Sequence, residues 1–93
     1  MRGLKDYLDQ QGRVKSWPSK KYRAVQKAVI DYLATRFEPG IEYSEAEVND
    51  VLNTWHLFGD HALLRRELFD AHWLNRTRDG HRYWREDGMK HGA

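Results

Sequence analysis

The chain has no cysteine, no apolar run longer than three residues, and almost no net charge. Without thiols, disulfides, thiolate catalysis and cysteine-based zinc or iron–sulfur sites are all excluded, so the fold must hold by packing alone. The short apolar runs fall far below the roughly 20 residues needed to cross a bilayer, so no membrane partner is expected. Nor does Met1-Arg2-Gly3 lead into the apolar stretch of an export signal, which makes a cytoplasmic location the expectation. Sixteen Lys and Arg against 14 Asp and Glu leave a formal charge of +2, too small to imply a partner by itself. Catalytic signals are missing too. No serine has a plausible His and Asp partner set, there is no glycine-rich phosphate loop, and Glu45 with Glu47 suits helix capping better than a carboxylate dyad. Neither an enzyme nor a cofactor is expected.

What is present fits one compact domain over residues 1–93, since 40% apolar and 13% aromatic content in 93 residues supports one modest core. Residues 1–18 read as an N-terminal arm anchored by Val14 and Trp17, and 86–93, poor in apolar residues, as a flexible tail. Charge is segregated along the chain. Arg13, Lys15, Lys20, Lys21, Arg23 and Lys27 come with no acid among them, Glu38, Glu42, Glu45, Glu47 and Asp50 follow, and arginines return from Arg65 to Arg85. Such blocks let a fold place opposite charges on different faces.

Three helices are legible. After Ser19, Tyr22, Val25, Val29, Tyr32, Leu33 and Phe37 recur at steps of three and four, which predicts a helix over about Lys20 to Phe37, ended by Pro39-Gly40. Ile41 to Tyr43 alternates like one short strand. Ser44 with Glu47 forms a capping box for a helix over about Glu45 to Thr54, whose acidic first turn suits the helix dipole. Asp60 then caps a helix over about His61 to His72. At about 100 degrees per residue, Leu64, Leu68 and Ala71 share its inner side, while Ala62, Arg65, Arg66 and Phe69 face away.

Asn75 to Arg78 and His81 to Trp84 flank Asp79-Gly80, the signal of a hairpin with a tight two-residue turn. Strand alternation puts Arg76, Arg78, His81, Tyr83 and Arg85 on one face and Asn75, Thr77, Arg82 and Trp84 on the other. Only one of Tyr83 and Trp84 can then pack on the third helix. Helix, turn, helix, basic hairpin is the order of a winged helix-turn-helix, an α+β, mostly helical fold with three main helices and a small β-hairpin wing.

This pattern points to double-stranded DNA and transcription regulation. Arg65 and Arg66 would enter the major groove, and Arg76, Arg78 and Arg82 would hold the backbone. Lys20 and Lys21, at a helix start, are a further candidate phosphate contact. The rival is a protein-interaction or dimerisation module on the same scaffold. It gains if the acidic residues of the second helix lie across the face of Arg65, Arg66 and the wing, where they would repel phosphate. A homodimer through the arm and the first helix is expected, against the alternative of an arm folded over its own core. His56, Asp60 and His61 are the one metal-like cluster, but a third protein ligand is not obvious and Asp60 is explained as a cap, so no metal is expected. Trp17, Trp55, Trp73 and Trp84 are expected to close the small core from several sides.

The segments GRVKSWPSKKYRAVQKAVIDYLATRFEPGIEYSEAEVNDVL, FGDHALLRREL and LNRTRDGHRYWR resemble the bacterial family known as domain of unknown function 2087, over about Gly12 to Arg85. Its members occur alone or joined to recognisable DNA-binding helix-turn-helix domains in transcriptional regulators. The resemblance therefore implies an association with transcription, of the stand-alone kind, and supplies no catalytic residue.

Overall fold

Two side chains set where the central helices begin. Ser44 Oγ accepts from Glu47 N–H at 3.1 Å while the Glu47 carboxylate accepts from Ser44 N–H at 2.8 Å, and α2 runs Glu45–Trp55 from that box. Asp60 Oδ1 accepts from Leu63 N–H at 3.2 Å and opens α3, His61–Asp70. These details belong to a computed structural model that describes residues 3–86.

The helix expected over Lys20 to Phe37 is shorter than its apolar repeat. A 3-10 turn, Lys20–Tyr22, leads into α1, Arg23–Ala34. Its far end tightens because Thr35, Arg36 and Phe37 each donate three residues back, and the Thr35 hydroxyl also binds Tyr32 C=O at 2.6 Å. Phe37 is buried all the same. α3 also stops early, at Asp70. His72 takes the left-handed conformation (φ 64°), its N–H donates to Phe69 C=O, and Trp73 N–H donates to Leu68 C=O, the bonding of a Schellman cap.

The sheet has three short antiparallel strands: β1, Glu42–Tyr43; β2, Leu74–Arg76; and β3, Tyr83–Arg85, in the order β1-β3-β2. Arg76 pairs with Tyr83 and Leu74 with Arg85, so these four share a face. Tyr83 and Leu74 on that face are buried, whereas Trp84, on the other, is half-buried. The turn is not the two-residue one read from Asp79-Gly80. Thr77 N–H donates to Arg82 C=O at 2.9 Å, Gly80 N–H donates to Thr77 C=O at 3.0 Å, and of the turn residues Gly80 has positive φ (75°), which makes a four-residue loop over 78–81. Asp79 selects this shape by accepting from the Thr77 hydroxyl at 2.7 Å and from His81 N–H at 3.0 Å.

The arm is part of the core. Val14 is fully buried, its N–H donates to Trp55 C=O at 2.8 Å, and its C=O accepts from Leu57 N–H at 2.9 Å. The Tyr32 hydroxyl donates to Gly12 C=O at 2.5 Å, and a Cβ at Gly12 would lie 2.7 Å from that oxygen, so the turn requires glycine. Of the two alternatives for the arm, the fold-back is the one seen. Trp17, Trp55 and Trp73 pack half-buried against the core formed by Val29, Leu33, Phe37, Val48, Leu52, Leu64, Leu68 and Tyr83. Glu86 is tied in as well, its N–H donating to Trp73 C=O at 2.7 Å; the rest of the tail expected at 86–93 lies outside the described residues.

Candidate nucleic-acid interface

The outward side of α3 is apolar only at Ala62 and Phe69, and the Ser44 box aims the first turn of α2 toward it. Between them β2 and β3 bring the wing. The result is a cleft of about 280 Å³ lined by Glu45, Ala62, Arg65, Arg66, Phe69, Arg76 and Tyr83. Three guanidinium groups and one carboxylate meet there, and the Tyr83 hydroxyl donates to Glu45 Oε1 at 3.3 Å.

The three arginines are held differently. Arg65 Nη1 donates to Asn49 Oδ1 at 2.5 Å, an amide placed one turn after Glu45 on the same side of α2. Arg76 lies with its guanidinium 5.0 Å from the centroid of the Phe69 ring, and its Nη1 is 3.4 Å from where a Cβ on Gly80 would stand. It therefore straps the wing to α3 by a cation–π contact under the glycine of the turn. Arg66 has no hydrogen bond or ion pair among the described residues, so its guanidinium is available to a ligand.

Other candidates fall elsewhere. Arg78 is exposed at the first position of the wing turn, also without a partner among the described residues. Arg82 donates to Glu42 Oε1 at 2.7 Å, on the wing face opposite the cleft. Both of its partners are exposed, so solvent keeps that pair weak and replaceable. Lys20 and Lys21 sit in the 3-10 turn before α1, line no part of the cleft, and Lys21 lies over its neighbour Tyr22. Arg85 is a structural residue beneath the sheet, donating to Phe37 C=O at 3.1 Å and covering Trp73.

At the wing tip His81 Nδ1 is 2.9 Å from Asp79 Oδ2. That hydrogen bond holds the imidazole pKa above its ordinary 6.5. The Thr77 hydroxyl, then His81, hold the Asp79 carboxyl well below the usual carboxylate range.

The acidic residues of α2 are divided. Only Glu45 enters the cleft; the Glu47 carboxylate turns back to Ser44 N–H, and Asp50 lies about 140 degrees around the helix from Glu45. The cleft is therefore net positive. As for the metal-like cluster, His56 is buried with Nδ1 2.6 Å from Leu52 C=O and Nε2 accepting from Asp60 N–H at 2.9 Å, which occupies both ring nitrogens. Among the described residues no group of three His, Asp or Glu side chains is arranged to hold an ion. No described helix is long and apolar enough to cross a membrane.

Sequence reasoning placed the acids of α2 near this face as the mark of the rival reading, and it missed Asn49, which stands beside Glu45. The signal was the spacing of four between them, which puts both on one side of α2. It also read Arg76 as a phosphate clamp because alternation gives the face of a strand residue and not what that face meets.

A family model described as "Uncharacterized protein conserved in bacteria (DUF2087)" matches residues 13–85, and the chain belongs to that family. No curated protein and no solved structure matches it.

Proposed function

We propose that this domain binds double-stranded DNA as a small transcription-associated module, without catalysis. The observation that carries this reading is the convergence of Arg65, Arg66 and Arg76 from α3 and the wing on one exposed cleft, next to a free Arg78 at the wing tip. An α-helix fits the major groove, and arginine can grip two acceptors at once on a base edge or phosphate. In this reading α3 enters the groove with Ala62 and Arg66 foremost, Asn49 orients Arg65, and Arg76 fixes the angle of the wing so that Arg78 and Arg82 meet the backbone. Titration of a fluorescently labelled duplex with the full chain at low salt tests it. Rising anisotropy that collapses on adding salt is the expected result, because each neutralised phosphate releases condensed counterions. No binding even at low salt rejects it.

One observation favours a second reading. Glu45 in the cleft and Glu42 on Arg82 both lower the positive potential of the face, as a protein-interaction module without DNA binding would allow. Failure of the duplex titration would transfer the cleft to a protein partner.

A further inference from the structure

Glu45 is the anomaly of the cleft. A carboxylate facing DNA is repelled by phosphate and loses water on docking, so it weakens binding unless the DNA offers it a hydrogen-bond donor. Its Oε1 accepts from the Tyr83 hydroxyl at 3.3 Å and its charge reaches the His81 ring, but among the described residues it has no further hydrogen bond and no ion pair. The two other cleft arginines are engaged, Arg65 by Asn49 and Arg76 by the Phe69 ring, which leaves Arg66 as the guanidinium open to an acceptor pair.

In the major groove only guanine presents two acceptors side by side, O6 and N7, to an arginine fork. Donors to a carboxylate are the N4 amine of cytosine and the N6 amine of adenine. Adenine places its donor beside a single acceptor, and its thymine partner offers one more acceptor and a methyl group, so an A·T pair cannot satisfy both side chains. A G·C pair can.

We propose that the cleft reads a G·C base pair, with Arg66 gripping guanine O6 and N7 and Glu45 accepting from the cytosine N4 amine. This rests on the duplex-binding reading above and adds base preference to it. Glu45 then acts as a specificity residue, lowering affinity for every other sequence while being satisfied at one. Ala62 at the start of α3 keeps that edge of the cleft low enough for a base edge to approach.

The test is selection of binding sites from randomised duplexes by the full chain, followed by affinity measurements on the selected duplex and on one with the preferred pair replaced by A·T. The native chain should enrich a G·C pair and discriminate against its replacement by about tenfold or more. Glu45→Ala should bind generic duplex more tightly than the native chain and lose that discrimination, and Arg66→Ala should lose both affinity and discrimination. Glu45→Gln, which keeps the size of the side chain and one acceptor oxygen but removes its charge, guards against a change in fold and should lower discrimination less than Glu45→Ala does. Binding with no base preference, with an A·T preference, or with discrimination that survives Glu45→Ala and Glu45→Gln overturns this inference and leaves duplex binding standing. No duplex binding at low salt overturns both.

Discussion

Arg65, Arg66, Arg76 and Arg78 carry the same charge, and their surroundings give them different work. Arg76 is laid on Phe69, Arg65 is held by Asn49, and Arg66 and Arg78 are free among the described residues. The sequence already put Arg65, Arg66 and Phe69 on the outward side of their helix, because helical periodicity is a local property. It could not reveal the Arg76–Phe69 strap, nor which of the three acids of α2 would reach the cleft, since both depend on how distant segments meet. At the same scale, His81 makes the wing sensitive to pH. Its raised pKa means the protonated ring is favoured in the folded wing; the stability it adds is fully present below the ordinary 6.5 and is lost as pH rises through the raised value. The wing tip loses a positive charge over that window. Duplex affinity should therefore fall as pH is raised through it, and His81→Ala should flatten the fall. Equal pH profiles for the two chains would show that the wing tip does not approach phosphate.

At the scale of elements, the starts of α2 and α3 were legible because Ser44, Glu47 and Asp60 act on backbone groups within three residues. Their ends were less so. α3 was read through His72, yet it stops at Asp70 because His72 occupies the left-handed position that closes a Schellman cap, where glycine is the usual choice and the sequence gives no glycine to mark it. A non-glycine residue there carries a conformational cost, which glycine relieves at some expense in unfolded-state entropy. His72→Gly should thus stabilise the chain by about 0.5–1 kcal/mol, read as a higher denaturant midpoint with unchanged slope. A lower midpoint would mean that the His72 side chain makes a contact worth more than the strain. The wing shows the same pattern: its location and register followed from strand alternation, whereas its loop length was decided by Asp79 binding Thr77 and His81.

For the whole molecule, the fold class was visible in the order of its elements, and the role of the arm was not. Leu4, Tyr7, Val14 and Trp17 look alike whether they meet a second copy or their own core. The structure places Val14 between Trp55 and Leu57 and buries it completely, so a small core is completed by its N-terminal segment. A chain shortened to begin at Ser16 loses Tyr7 and Val14 and should lose cooperative thermal unfolding; an unchanged midpoint would show the arm to be dispensable. With the arm committed, the exposed face that remains distinctive is the cleft and wing, net positive despite Glu45. The most direct test of that face is the salt dependence of duplex affinity for the native chain beside Arg78→Ala. Log affinity should fall linearly with log salt for the native chain. The variant should bind more weakly to every sequence, with a slope shallower by about 0.9, the share of one phosphate contact. Identical slopes, or no measurable duplex binding by the native chain at low salt, would contradict the assignment of this face to DNA.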